Sequence, residues 1–179
     1  MIPRINIYGG PGVGKSTLAA RIYSDLRRRF VNVELIQEVV KQYVYAGRTL
    51  KPWDYVHTFG QQFEAEHLPL SSGVKTIVSD SPLFLQCIYA FENDSPVYAQ
   101  LVDICRMFDE EYPVFNLLAL RSGTTPYETL GRWQDRKEAE EVDKTVREHL
   151  DRHLIDYTPI NPMDDGDYNL CMNLIGETN

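Results

Sequence analysis

Residues 9–17 read Gly9-Gly10-Pro11-Gly12-Val13-Gly14-Lys15-Ser16-Thr17, and this stretch decides the fold. Counted from Gly9 it satisfies G-x-x-x-x-G-K-[ST], closed by Gly14, Lys15 and Ser16. Backbone N–H groups can wrap a triphosphate only where the loop carries little side-chain bulk and reaches positive φ, so glycines recur. Gly10, Gly12, Val13, Gly14, Lys15, Ser16 and Thr17 are the triphosphate-binding candidates of this loop. Lys15 offers a mobile ammonium to the β- and γ-phosphates, and the Ser16 hydroxyl is placed for Mg²⁺. The helix that follows directs its positive end at the phosphates.

The flanks are those the motif needs. Ile2, Ile5 and Ile7 alternate with other residues in a short strand that ends at Tyr8. After the loop, Leu18, Ile22, Leu26 and Phe30 recur every four residues as a helix stripe. A dinucleotide fingerprint fails, because Lys15 stands where the last glycine of G-x-G-x-x-G would fall from Gly10.

With 179 residues, 43% of them hydrophobic, the chain is long enough for one domain with a sizeable core. Its formal net charge of −8 gives no global basic field, which weighs against non-specific nucleic-acid or membrane binding. Cys87, Cys105 and Cys171 are dispersed without C-x-x-C spacing. They are expected to be reduced thiols in a cytoplasmic setting rather than a disulfide frame or zinc site. No apolar run approaches the length of a membrane span, and the start runs straight into the first strand, so no signal peptide is expected.

Beyond the first helix, Val33-Glu34-Leu35-Ile36 alternates into a second strand that stops at Gln37-Glu38. A carboxylate at the carboxyl end of a strand in an open α/β sheet sits in the crevice where ligands bind, which singles out Glu38. Residues 39–72 are helical in pattern and rich in aromatics, with Trp53, Val56, Phe59 and Phe63 on one stripe expected to face the core. Gln61 and Gln62 are candidates for recognising an acceptor base, since a glutamine amide can bond two edges of a base. Tyr43, with Phe59, is a candidate aromatic contact for the same acceptor.

Val74 to Ser79 is a third strand running into Asp80-Ser81-Pro82. An apolar strand delivering an aspartate is the Walker B arrangement, in which the carboxylate holds Mg²⁺. A second acidic run, Asp109-Glu110-Glu111, follows residues of helical spacing and reads as a charged helix end. Phe115 to Leu120 forms a fourth strand delivered to Arg121, followed by a polar segment that leads to Arg132 and Arg136. Three arginines around such a segment are what charge neutralisation of a transferring phosphoryl group requires. His149 and His153, one turn apart, lack a metalloprotease glutamate and read as helix surface. Tyr157 to Ile160 is an edge-like fifth strand that tolerates Pro159, and a closing helix carries Tyr168, Leu170, Cys171 and Leu174.

Strands alternating with helices behind a phosphate loop predict an α/β fold of three layers, with a parallel five-stranded sheet between helices. At this point the chain resembles the P-loop nucleoside and nucleotide kinases over most of its length. LIQEVVKQY (35–43) looks like the second-strand segment of deoxynucleoside kinases, and TIVSDSP (76–82) stands at their acidic-Arg-Ser motif. ALRS (119–122) to GRWQDR (131–136) looks like their arginine-bearing LID. The resemblance implies strand order 2-3-1-4-5, one kinase domain over 1–179, acceptor-binding helices over 39–72 and a LID over 121–137. It implies ATP as phosphate donor and Mg²⁺ as cofactor, with Lys15, Ser16 and Arg121 on ATP and Ser16 and Asp80 on the metal. Glu38 becomes the base, and Arg132 and Arg136 become LID arginines.

Ser81 replaces the usual arginine. The turn after the second strand also lacks the Arg-x-Pro-Gly pattern of thymidylate kinases. A hydroxyl acceptor needs a base whereas a phosphate acceptor does not, so Glu38 favours a hydroxyl. The expected partner is a nucleoside- or nucleotide-like acceptor, with DNA and a homodimer as further expectations, since thymidylate-kinase-like proteins include viral enzymes that phosphorylate hydroxymethylpyrimidines within DNA. No Asn-Lys-x-Asp guanine motif occurs, and a motor ATPase would want glutamate at position 81. A regulatory NTPase without an acceptor is the reading from another class.

Overall fold

Period-two alternation in the first strand sets both faces of the molecule. The structure, a computed structural model, describes residues 2–122 and 134–177. Strand β1 (Arg4–Tyr8) is buried throughout and lies at the centre of a five-stranded sheet. It pairs with β3 (Thr76–Ser79) on one side and β4 (Val114–Ala119) on the other. Outside these lie β2 (Val33–Ile36) against β3 and β5 (Thr158–Ile160) against β4. Every pair is parallel, and the order is β2-β3-β1-β4-β5, as expected. Pro159 sits in the edge strand β5, where a missing N–H costs no ladder bond on the open side.

Ile5 and Ile7 point to one face, where they join Leu18, Ile22 and Leu26 of helix α1 (Lys15–Arg28) and Tyr168 and Cys171 of the C-terminal helix (Asp165–Glu177). Tyr8 points to the other face, into a cluster built by four helices. These are α3 (Asp54–Ser71), α4 (Leu83–Glu92), α5 (Tyr98–Glu111) and α6 (Arg136–Arg152), with the short α2 (Lys41–Tyr45) preceding them in the chain. Helices thus cover both sides of the sheet, and the C-terminal one is α7. Covering both faces is why the inner strands read as nearly continuous apolar runs.

Three expectations about side chains are corrected. Phe30 does not continue the α1 stripe: it is 97% exposed with φ 61°, and the Val31 N–H returns to the Leu26 carbonyl at 3.0 Å. Trp53 and Val56 are exposed rather than core; the buried face of α3 carries Tyr55, Thr58, Phe59, Gln62 and Glu66. The reason is Arg4, which is buried on β1 and must be neutralised where it lies. Its guanidinium binds Glu66 at 3.2 Å and also Asp109, so the acidic end of α5 is a partner of the core as well as a charged terminus. Ser79 and Gln62 donate to the same Glu66 carboxylate. His149 is likewise not surface. It is buried among Phe91, Tyr98 and His153, and burial, with Arg152 and His153 beside it, pushes its pKa down to about 4.

Candidate functional site

The phosphate loop takes its shape from two close approaches. Gly14 enters α1 at φ 105°, a left-handed conformation that a side chain would strain, against Pro162 of the segment after β5. At Gly10 a Cβ would stand 2.5 Å from Asp143 Oδ1 and 2.8 Å from the Ala139 carbonyl, so only glycine lets α6 press this close. The Gly10 N–H donates to Asp143 Oδ1 at 2.7 Å, and Arg121 donates to Asp143 Oδ2 at 2.6 Å and to the Pro11 carbonyl at 2.8 Å. Arg121, expected on ATP, therefore buttresses the back of the loop through Asp143. Asp143 escaped sequence reading because an acid on a charged helix carries no local signal of the pairing.

In front of the loop lies a cavity of about 510 Å³. Gly12, Gly14, Lys15, Ser16 and Thr17 line it, as do Glu38 and Asp80. Register explains the convergence. Ile36 pairs with Ser79, so β2 and β3 end side by side, and the Asp80 N–H bonds the Ile36 carbonyl at 3.2 Å. Glu38 and Asp80 then emerge at the same carboxyl edge as the loop after β1. Lys15 folds back to the Gly10 carbonyl at 2.9 Å. Burial lowers the Lys15 pKa, opposed by the nearby carboxylates of Glu38, Asp80 and Asp143. Burial raises the Glu38 pKa; Lys15 and Lys41 oppose this, and Asp80 adds to it.

Asp80 is buried, and its Oδ1 has no hydrogen-bond partner. An orphaned carboxylate oxygen and the Ser16 hydroxyl lining one cavity at a phosphate loop are hard-oxygen groups suited to Mg²⁺, which keeps waters and substrate phosphates for its remaining positions. The residues present fit that ion.

The other predicted residues are distributed differently. Phe59 is core, and Gln62 is fully buried, accepting the Val39 N–H at 3.3 Å and donating to Glu66 at 3.4 Å. Tyr43 donates to Gln61 at 3.2 Å on the exposed side, and none of these four lines the cavity. Val13 packs in the core behind the loop. Arg136, at the start of α6, pairs with Glu140 at 3.2 Å on the surface. Arg132 and most of the expected LID, residues 123–133, lie outside the described residues; Gln134, just after them, lines the cavity.

Further lining comes from Val40, Lys41 and Val44 around α2, from Leu50 and Tyr55, and from Gln86 and Tyr89 of α4 with Asn93 just after it. Sequence reading passed over α4. Its signal was a lone glutamine in the apolar run Leu83-Phe84-Leu85-Gln86-Cys87-Ile88, three residues after Asp80.

A family model described as an AAA domain matches residues 4–168. No curated protein matches the chain. Among solved structures, NadR in complex with NR aligns at TM-score 0.74 and 17% identity, over 98% of this chain and 51% of that one. The chain thus spans about half the length of NadR. Deoxyadenosine kinase from M. mycoides with dCMP and dCDP aligns at TM-score 0.62 and 18% identity, over 97% of this chain and 99% of that one. The same enzyme with bound dATP gives TM-score 0.62 and 20% identity, with the same coverage. These likenesses show the P-loop kinase fold.

Proposed function

We propose, from the premise that this chain belongs to the AAA domain family, that it is an ATP- and Mg²⁺-dependent kinase whose acceptor is a hydroxyl of a nucleoside- or nucleotide-type molecule. The observation that carries this is the lining of one cavity. It brings the phosphate loop, Asp80 and Glu38 together with apolar and aromatic groups from α2 and α4, the mixture that a triphosphate and a base-bearing acceptor would need.

In this reading Glu38 accepts the proton of the acceptor hydroxyl, whose oxygen bonds to the γ-phosphorus. The bond from that phosphorus to the β–γ bridging oxygen breaks, and ADP leaves with its electron pair. Lys15 and the loop amides hold the β- and γ-oxygens, so catalysis rests on positioning and charge stabilisation. Asp80 and Ser16 would hold Mg²⁺, which when bound neutralises charge on the β- and γ-phosphates. Burial suits Glu38 to this role, because a raised carboxylate pKa makes a stronger base. Asp143 and Arg121 keep the loop in place from behind, and Arg132 and Arg136 remain the LID arginines of the proposal.

Family membership also accommodates an NTPase without an acceptor. Ser81 is buried and accepts from Gln86 at 3.4 Å, so this position supplies no carboxylate to orient an attacking water. The two readings separate in one experiment. Labelled ATP is offered with nucleosides, nucleotides and DNA containing 5-hydroxymethyluracil. The kinase reading expects label on one acceptor class and ADP release that depends on it. Hydrolysis at the same rate with every acceptor, and with none, would sink it.

A further inference from the structure

Among the described residues, seven buried side-chain nitrogen or oxygen atoms have no hydrogen-bond partner: Arg4 Nε, Asn6 Oδ1, Thr58 Oγ1, Asp80 Oδ1, Gln86 Oε1, Asn116 Oδ1 and His149 Nδ1. Only two of them belong to residues that line the cavity, Asp80 and Gln86. The first is accounted for by the metal that Asp80 and Ser16 fit. The second has no such account. A buried acceptor left unpaired is costly, and a cavity-lining one is relieved when a ligand brings a donor.

Gln86 is held in place. It sits on a helix whose residues Leu83 to Ile88 are all buried, and its Nε2 donates to Ser81 Oγ at 3.4 Å. An amide nitrogen has two hydrogens, so one Nε2–H and the Oε1 lone pairs remain. Gln86, Tyr89 and Asn93 recur at i, i+3 and i+7, which puts the three on one face of α4. The half-buried Tyr89 adds an aromatic surface on the amide's wall, and Val40, Val44 and Leu50 supply apolar groups to the same chamber. A fixed amide beside an aromatic ring in a partly apolar chamber matches a planar heterocycle with an N–H next to a carbonyl or ring nitrogen.

We propose that Gln86 is the specificity-determining residue of the acceptor chamber, reading an N–H donor on the acceptor's ring with its Oε1. This rests on the kinase reading, because it takes the chamber beyond Glu38 as the acceptor site. The glutamines singled out from sequence, Gln61 and Gln62, are instead spent on Tyr43 and on the Val39 backbone with Glu66.

The test compares nucleosides with partners methylated at the ring N–H: uridine with 3-methyluridine and inosine with 1-methylinosine, with adenosine, which has no ring N–H, as the control. Binding is followed by calorimetry and transfer with labelled ATP, first on the unaltered protein and then on Gln86→Met. The expected result is that methylation of the preferred nucleoside weakens binding about ten- to a hundredfold. Gln86→Met should lose a similar factor for that nucleoside, bind ATP as before, and no longer distinguish the methylated partner. Equal binding of both partners by the unaltered protein overturns the proposal, and that arm needs no variant to fold. Nucleosides phosphorylated equally well by both proteins would overturn the role of Gln86 and leave the kinase reading standing. Gln86-dependent binding without phosphate transfer would do the reverse. If no nucleoside binds at all, the proposal is overturned.

Discussion

Replacing Glu38 by glutamine keeps shape and removes the proton acceptor. The side chain stands at the carboxyl end of β2, beside a backbone pinned by the Val39 N–H to Gln62 bond, so the amide should occupy the same place. General-base catalysis contributes roughly 10²–10⁴-fold, which is about 2.7–5.5 kcal/mol of barrier. The single-turnover rate should fall by about that factor while ATP affinity stays near the parent value. Asp80→Asn should behave differently, weakening Mg²⁺-dependent ATP binding as well as the chemical step. The pH profile gives a second readout. Burial raises the Glu38 pKa, with Asp80 adding to it, so the base is protonated, and inactive, to a higher pH than an ordinary carboxyl. The parent rate should therefore rise with pH through a limb above the usual carboxylate range, and Glu38→Gln should lack that limb. Rapid-quench transfer from labelled ATP across a pH series, with calorimetry for ATP, measures both. Transfer at the parent rate by Glu38→Gln, or an unchanged acid limb, would refute the assignment and move the role to Asp80.

Lys15→Ala should abolish transfer and leave thermal unfolding near that of the parent, since the lysine faces the cavity; near-normal turnover would remove the phosphate-loop assignment. Glu66→Gln leaves the buried Arg4 guanidinium with Asp109 alone, and loss of a buried partner costs about 3 kcal/mol, so Tm should drop by roughly 6–12 °C. An unchanged Tm would mean the pair adds nothing. His149 has a lowered pKa of about 4, so between an unfolded value near 6.5 and that figure the unfolded chain binds more protons and stability falls as pH falls. His149→Phe should flatten that slope in urea titrations over the window, and an equally steep slope in the variant would place the titrating group elsewhere.

The amino-acid sequence by itself determined the parts whose physics is local. A glycine loop between an apolar strand and a striped helix is a short-range pattern, and it specified the loop-to-helix turn and the parallel architecture. The carboxyl-edge positions of Glu38 and Asp80 followed from the same rule, because strand ends in an open α/β sheet open into one crevice. What only the tertiary structure decided depends on contacts between residues far apart in the chain. The periodicity of α3 pointed to Trp53 and Val56, yet a buried charge on β1 drew Glu66, and with it Gln62, inward instead. Asp143 reaches Gly10 across 133 positions, and Arg4 reaches Asp109 across 105; no window of sequence contains either pair. The proposed acceptor contacts fall elsewhere for the same reason. Gln61 and Gln62 have the right chemistry, but which glutamine borders a cavity is set by how α3 and α4 rotate onto the sheet. That rotation leaves the Gln86 acceptor unpaired beside the cavity.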